Sequence, residues 1–200
     1  MRTLAVTQNI TVDGSIEMLT GWFDPQAQGG ADMSDLLEES HRQDREADAL
    51  VLGRRTFEDF RGYWPAQTDD TTGITAYLDR VDKYVVSTTL TDPGWENSTV
   101  LAADPLAEVA ALKEREGRDI VVTGSIRLVH TLIAAGLVDE YRLFVYPSVQ
   151  GGGRRLFPDG YEIPRLRLLE SKAFTCGVTL QRYAPACASR PSRGEARAGA

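Results

Sequence analysis

Three short stretches of this sequence combine small, hydroxylated and cationic residues in a way suited to holding a phosphate: Gly53-Arg54-Arg55-Thr56, Ser87-Thr88-Thr89 and Thr123-Gly124-Ser125. Each follows a short apolar run, Ala49 to Leu52, Lys83 to Val86 and Asp119 to Val122 respectively, of the kind expected of strands buried on both faces. Where such a strand turns directly into a helix, the free N–H groups of the first helical turn and the helix dipole favour an anion. Arg54 and Arg55 oppose the dipole at that end of a helix, which costs stability unless they meet an anion; an exposed pair bridged to Glu58 or Asp59 is the plainer alternative. For Thr123-Gly124-Ser125 the plainer alternative is that glycine merely permits close packing, and the spacing is not that of a Rossmann glycine fingerprint.

The elements that must position these turns are legible in part. The helix after Ser125 carries Ile126, Val129, Leu132 and Ile133 at helical spacing and ends before Gly136, and a strand from Arg142 to Tyr146 completes a strand, turn, helix, strand unit. Ahead of it, Leu4 to Val6 opens a strand, and Gln8 to Gly30 reads as a long loop holding Asp13-Gly14 and Trp22-Phe23. That aromatic pair suits either closure over a ligand or attachment of the loop to the core. Ser34 is a candidate cap for a helix running to about Ala47, with Asp35, Glu38 and Glu39 near its positive end. A short helix is expected over Ile74 to Arg80, a brief strand over Val100 to Ala102, and a helix capped by Asp104 with Pro105 in its first turn and Gly117 beyond its end. Arg167 to Phe174 and Val178 to Tyr183 form an antiparallel pair around Cys176-Gly177. Residues 185–200, polar and arginine-bearing, are expected to be disordered, leaving 1–184 as the folded domain.

Composition limits the function classes. A net charge of -7 over 200 residues argues against a general nucleic-acid surface, while 42% hydrophobic residues support one substantial core. No apolar run is long enough to cross a bilayer, and the opening Met1-Arg2-Thr3-Leu4 enters a strand pattern rather than a signal peptide, so an intracellular, cytoplasmic protein is expected. Cys176 and Cys187 are too few for a disulfide framework and lack zinc-site spacing; no metal is expected. In an open parallel sheet the carboxyl ends of the strands share one edge, so the three turns together would hold a dinucleotide with an extra phosphate, NADP rather than NAD.

In order and approximate spacing, Gly53-Arg54-Arg55-Thr56-Phe57-Glu58, Tyr84-Val85-Val86-Ser87-Thr88 and Val121-Val122-Thr123-Gly124-Ser125 resemble the dihydrofolate reductase fold. Thr11-Val12-Asp13-Gly14-Ser15-Ile16, Leu137-Val138-Asp139-Glu140 and Gly151-Gly152-Gly153 bring the chain closer to the reductase (C-terminal) domain of the bifunctional deaminase-reductases of riboflavin biosynthesis, without a companion deaminase domain. The resemblance implies an α/β fold of three α-β-α layers, with an eight-stranded, mostly parallel central sheet and an antiparallel C-terminal hairpin. It also implies NADPH across the strand ends and a homodimer. Under it, Gly53, Arg54, Arg55 and Thr56 meet the pyrophosphate or the 2′-phosphate, Ser87 and Thr88 lie on the adenosine side, Thr123, Gly124 and Ser125 lie beneath the pyrophosphate, and Ile16 approaches the nicotinamide.

The substrate side departs from dihydrofolate reductases, whose pterin-holding carboxylate falls on Leu37 here. Asp13 belongs instead to the riboflavin-pathway pattern, in which a ribose accepts the hydride, and is the first candidate to orient substrate or relay a proton; as a turn former before Gly14 it would be purely structural. Glu38 is the second candidate, with His41 three residues along as a possible companion or a solvated helix residue. Asn9, Trp22, Phe57 and Tyr146 are candidate walls of a substrate pocket and Arg154 a partner for a substrate phosphate; the three aromatics are otherwise ordinary core residues. Two functions follow: an NADPH-dependent reductase of a small heterocyclic or ribosyl substrate, similar to 5-amino-6-(5-phosphoribosylamino)uracil reductase, or a non-catalytic nucleotide-binding or regulatory protein on the same fold.

Overall fold

The computed structural model describes residues 1–24, 30–163 and 165–186. Of the tail expected to be disordered over 185–200, Pro185 ends the last strand and the Ala186 N–H donates to the Arg165 carbonyl at 3.0 Å, while the rest, including Cys187, and part of the front loop lie outside the described residues. Eight strands form one sheet: β1 (Leu4–Thr11), β2 (Ala47–Gly53), β3 (Asp82–Val86), β4 (Ser98–Leu101), β5 (Asp119–Val122), β6 (Glu140–Tyr146), β7 (Leu166–Ala173) and β8 (Thr179–Pro185). Their order is β4-β3-β2-β5-β1-β6-β8-β7, with the first six parallel and the last two antiparallel to their neighbours. The helices are α1 (Ser34–Glu46), α2 (Arg54–Tyr63), α3 (Ile74–Arg80), α4 (Pro105–Glu114) and α5 (Ile126–Ala134). No helix among the described residues is long and apolar enough to cross a membrane.

Strand alternation divides the core into layers. Ala49 and Val51 of β2 face one side with Val109 and Leu112 of α4 and Val129, Leu132 and Ile133 of α5. Leu50 and Leu52 face the other, with Phe57 of α2 and Tyr77 and Leu78 of α3. Leu36 of α1 covers Phe144 of β6 and Leu180 of β8 on that second side. The three layers and the mixed sheet are those the resemblance implies.

Local signals explain most boundaries. Asp104 caps α4 through its carboxylate, which accepts from the N–H groups of Leu106 (3.0 Å) and Ala107 (3.3 Å). Gly136, at φ +66, follows α5 in the left-handed region that favours glycine.

Several expectations were not met. β1 continues to Thr11 instead of dissolving at Gln8, because Asn9, Ile10 and Thr11 find partners in Phe144, Val145 and Tyr146 of β6; the front loop therefore begins at Val12. Ser34 is the first residue of α1 and not its cap. Its N–H donates to Asp32 Oδ1 at 2.9 Å, and the Asp35 carboxylate binds the backbone and hydroxyl of Thr175 beyond β7. Phe57 is fully buried beneath Trp95 and Arg61, so it belongs to the core and not to a pocket wall. His41 neither joins Glu38 nor stands in solvent: its Nε2 lies 2.7 Å from the Thr72 carbonyl ahead of α3.

Candidate active site

The parallel strands β3, β2 and β5 end at Ser87, Gly53 and Thr123 on a common carboxyl-terminal edge, beside a cleft of about 1010 Å³ that Gly53 lines. A second chamber of about 390 Å³ adjoins it, with Arg54, Val86, Pro105 and Arg127 contributing to both. The larger chamber is floored by Gly53, Thr56 and Ser125 at the start of α2 and α5, and walled by Arg55 and by Ile126, Leu128 and Thr131 of α5. The smaller is rimmed by Ser87, Thr88 and Thr89 at the end of β3.

The two floor turns interlock. A Cβ at Gly53 would stand 2.5 Å from Ser125 Oγ, and one at Gly124 would stand 2.9 Å from Thr56 Oγ1. Only glycine allows this approach, and it brings Thr56 Oγ1 to 3.0 Å from Ser125 Oγ, with the Gly53 N–H donating to the Gly124 carbonyl at 3.2 Å. In that hydroxyl pair one oxygen must donate to the other, which leaves the second hydroxyl hydrogen free for an acceptor in the cleft. The small-residue pattern is thus required by packing, and the same packing aims two helix starts and two hydroxyls into one space.

Charge is concentrated here. Four arginines, Arg54, Arg55, Arg127 and Arg154, line the larger chamber against two carboxylates, Glu17 and Asp59, although the chain as a whole carries -7. Arg54 is held by Glu58 one turn along, at 2.9 and 3.1 Å, which is the plainer alternative weighed for it; Asp59 takes no part in that bridge. Arg154 is held by Glu17, which accepts from its backbone N–H at 2.7 Å and its Nε at 2.6 Å; these hydrogen bonds hold the Glu17 carboxyl below the usual range. Arg55 and Arg127 make no ion pair with a described carboxylate. Arg127, together with Glu17, Met18, Leu19 and Pro105, was missed at the level of sequence. An arginine in the first turn of α5 carried the same signal that drew attention to Arg54 and Arg55.

The front loop is a wall of this cleft, tied back at several points. Gln150 accepts from Leu19 N–H at 3.1 Å, Ser15 and Arg155 form an isolated β-bridge, and the Trp22 indole N–H donates to the Glu17 carbonyl at 3.0 Å. Trp22 and Phe23 pack on Tyr146, each with ring centroids 5.4 Å away, so the aromatic pair attaches the loop to the end of β6; burial raises the Tyr146 hydroxyl pKa. Neither Trp22, Tyr146 nor Asn9 lines the cleft. Ile16 is buried in the core, and neither Ile16 nor Thr123 lines either chamber.

The two proposed acids fare differently. Asp13 accepts from the Thr11 hydroxyl at 2.5 Å and from the N–H groups of Gly151 at 2.7 Å and Gln150 at 3.2 Å, and these bonds, the Thr11 hydroxyl foremost, lower its pKa to about 2. It is an ionised acceptor that clamps the end of β1 to the 148–155 loop, and cannot carry a proton to substrate near neutrality. Glu38 is exposed on α1 and does not line the cleft, so it is withdrawn as a catalytic candidate. Among the described residues no group of His, Cys, Asp and Glu is placed to hold a metal ion.

Residues 2–180 match the RibD C-terminal domain family. The chain belongs to that family. It is similar to the protein YyaP of Bacillus subtilis (strain 168), at 31% identity over 185 residues that cover 88% of this chain and 92% of YyaP. Among solved structures it superposes on a Thermotoga maritima diaminohydroxyphosphoribosylaminopyrimidine deaminase/5-amino-6-(5-phosphoribosylamino)uracil reductase with TM-score 0.62 and 16% identity, covering 92% of this chain and 57% of that one. It also superposes on Enterococcus faecalis dihydrofolate reductase complexed with NADP(H), with TM-score 0.59 and 15% identity, covering 91% and 95%. The structural likenesses establish the dihydrofolate reductase-like fold. RibD C-terminal domains belong among NADPH-dependent reductases, and the donor set of this cleft fits a phosphorylated dinucleotide: cations, hydroxyls and two helix starts converge, and glycines allow close backbone approach.

Proposed function

We propose that this chain is a cytoplasmic, homodimeric NADPH-dependent reductase that transfers a hydride to a C=O or C=N carbon of a small heterocyclic or ribosyl substrate, in the manner of 5-amino-6-(5-phosphoribosylamino)uracil reductase. The observation that carries the reading is the two-chambered, arginine-rich cleft at the carboxyl ends of β3, β2 and β5 in a chain that is acidic overall. Bound NADPH would supply the hydride. The chain's own residues bind and orient: Arg55, Thr56 and Ser125 meet the pyrophosphate, Ser87 and Thr88 the adenosine, and Met18 and Leu19 exclude water from one wall. Asp13, as a permanent carboxylate, fixes the loop that carries Arg154, and the proton that completes reduction comes from solvent.

The position of the acids favours a second reading, a nucleotide-binding protein without turnover, since Glu38 does not line the cleft and Asp13 accepts three hydrogen bonds from its own loops. Thermal-shift titration with NADPH and NADH, followed by a substrate screen at the NADPH absorbance band, separates the two. A ligand that binds only the native state stabilises it by RT ln(1 + [L]/Kd), so the expected result is a larger rise in Tm with NADPH. Oxidation of NADPH with a substrate of the screen supports the enzyme; NADPH binding with no turnover on any ribosylaminopyrimidine tested supports the second reading, and no shift with either nucleotide removes both.

A further inference from the structure

We infer that the substrate of this chain is an unphosphorylated heterocyclic or ribosyl compound, because Glu17 closes Arg154, the cation of the front-loop wall, to a phosphate monoester; the inference rests on the proposed reductase site. Glu17, Met18, Leu19 and Arg154 line the larger chamber and not the smaller, so they stand apart from the Ser87 and Thr88 rim assigned to the adenosine. In the proposed site this wall is left to the substrate. Glu17 Oε1 accepts from Arg154 Nε at 2.6 Å and pairs with its Nη2 at 2.5 Å, while Oε2 accepts from the Arg154 backbone N–H at 2.7 Å. One bidentate edge of the guanidinium is thereby occupied. A phosphate dianion at the other edge would stand beside a carboxylate, and the pair offers no net charge to attract it.

The backbone makes this pairing a fixture of the fold. The Ile16 N–H donates to the Arg154 carbonyl at 3.1 Å, Ser15 and Arg155 form the isolated bridge, and the Trp22 indole N–H holds the Glu17 carbonyl. Gly153, at φ +105, permits the approach of the two loops, since a Cβ there would stand 2.3 Å from Ser15 Oγ. Both partners are therefore anchored on either side of their ion pair. Turning Arg154 toward a ligand phosphate would give up two charge-assisted hydrogen bonds only to exchange one anion for another. Beside the pair, Met18 and Leu19 are exposed apolar side chains. Such a wall suits the face of a heterocycle or an unphosphorylated sugar, whose hydroxyls can meet the donors that Glu17 leaves open.

Thermal-shift titration of the full chain with inorganic phosphate at constant ionic strength tests this without cofactor or turnover. Glu17→Gln frees Arg154 and is expected to raise the apparent phosphate affinity by roughly 10-fold. The charge-balanced double variant, Glu17→Gln with Arg154→Gln, is expected to lose that gain and to respond to phosphate as wild type does. Circular dichroism certifies that each variant is folded, and the double variant alone decides the matter if Glu17→Gln does not fold. A double variant that responds less than wild type would show that Arg154 already meets phosphate, and a Glu17→Gln response equal to wild type would show that Glu17 is not what closes it; either result overturns the inference. Neither depends on the NADPH titration, whose failure would remove the reductase reading by itself. With NADPH turnover in hand, a ribosylaminopyrimidine without its 5′-phosphate is expected to show the higher kcat/KM, and the opposite order overturns the assignment while the reductase stands.

Discussion

Arginines serve opposite purposes at the two ends of this sheet. At the carboxyl ends of β2 and β5, Arg55 and Arg127 stand at the cleft with no ion pair to a described carboxylate, and Arg54 pairs with a neighbouring turn's glutamate. Near the amino ends of β5 and β6, on the face covered by α1, arginines are paired with carboxylates, although Arg142 Nη1 is buried without a hydrogen-bond partner. Arg142 is 1% exposed and bound to Asp119 and Glu140; Arg182 bridges Glu140 and Glu170; Arg42 bridges Glu39 and Glu46. Glu39 shows how complete the compensation is: burial alone would raise its pKa, yet hydrogen bonds from Arg42, Gln43 and Lys172 bring it to about 2. A buried charge must be paired because desolvation penalises it, whereas an exposed one at a ligand site gains by waiting for the ligand. The same residue type therefore contributes to stability at one end and, at the other, stands open to the ligand proposed for the cleft.

The largest test of this contrast is Arg142→Met, which leaves the half-buried Asp119 without this partner and the buried Glu140 with Arg182 alone. A loss of about 3–5 kcal/mol in unfolding free energy is expected from removing one partner of a buried pair. A change below 1 kcal/mol, read by urea denaturation, would mean that the network is no more tightly coupled than a surface pair.

Next is the acid beside that network. Asp44 of α1 lies among His41, Arg45 and Arg80 and near Tyr77, and burial, only partly offset by those cations, raises its pKa to about 6. The folded state then holds a proton that the unfolded chain releases from about pH 4, so this contribution is full below pH 4 and is lost as pH rises through about 6. The loss amounts to at most about 3 kcal/mol. Asp13 has the opposite sign: with its pKa lowered to about 2, its contribution is present above about pH 4 and disappears as pH falls through 2. Asp44→Asn should flatten the stability profile between pH 4 and 6 and leave the acid limb below pH 4 in place; denaturation midpoints across that range are the readout.

The smallest effect is expected at the cleft. Arg55→Gln should shift unfolding free energy by no more than about 0.5 kcal/mol, as for exposed side chains without a packing role, while NADPH binding weakens measurably. A large destabilisation there, seen in the same urea titration, would make Arg55 a structural residue and erase the contrast between the two ends.

Much of the fold was legible because its signals are local. The apolar run of β2, the Asp104-Pro105 start of α4, the glycine after α5 and the helix-period pattern of α5 each need only a few adjacent residues to be read, and the strand-end turns marked the edge where the arginine-rich cleft lies. What failed was non-local. β1 ran on to Thr11 because β6 lay beside it, Phe57 went inward because α2 presents that face to Leu50 and Leu52, and Asp13 is held as an acceptor by the nearby Thr11 hydroxyl together with N–H groups 137 and 138 residues away. Residue types and their order along the chain determined which turns are fit to bind phosphate, since dipole, backbone donors and charge come with the local sequence. Only the tertiary structure decided which arginines remain free to use it, because a partner for a charge is set by what the sheet order brings within a few ångströms.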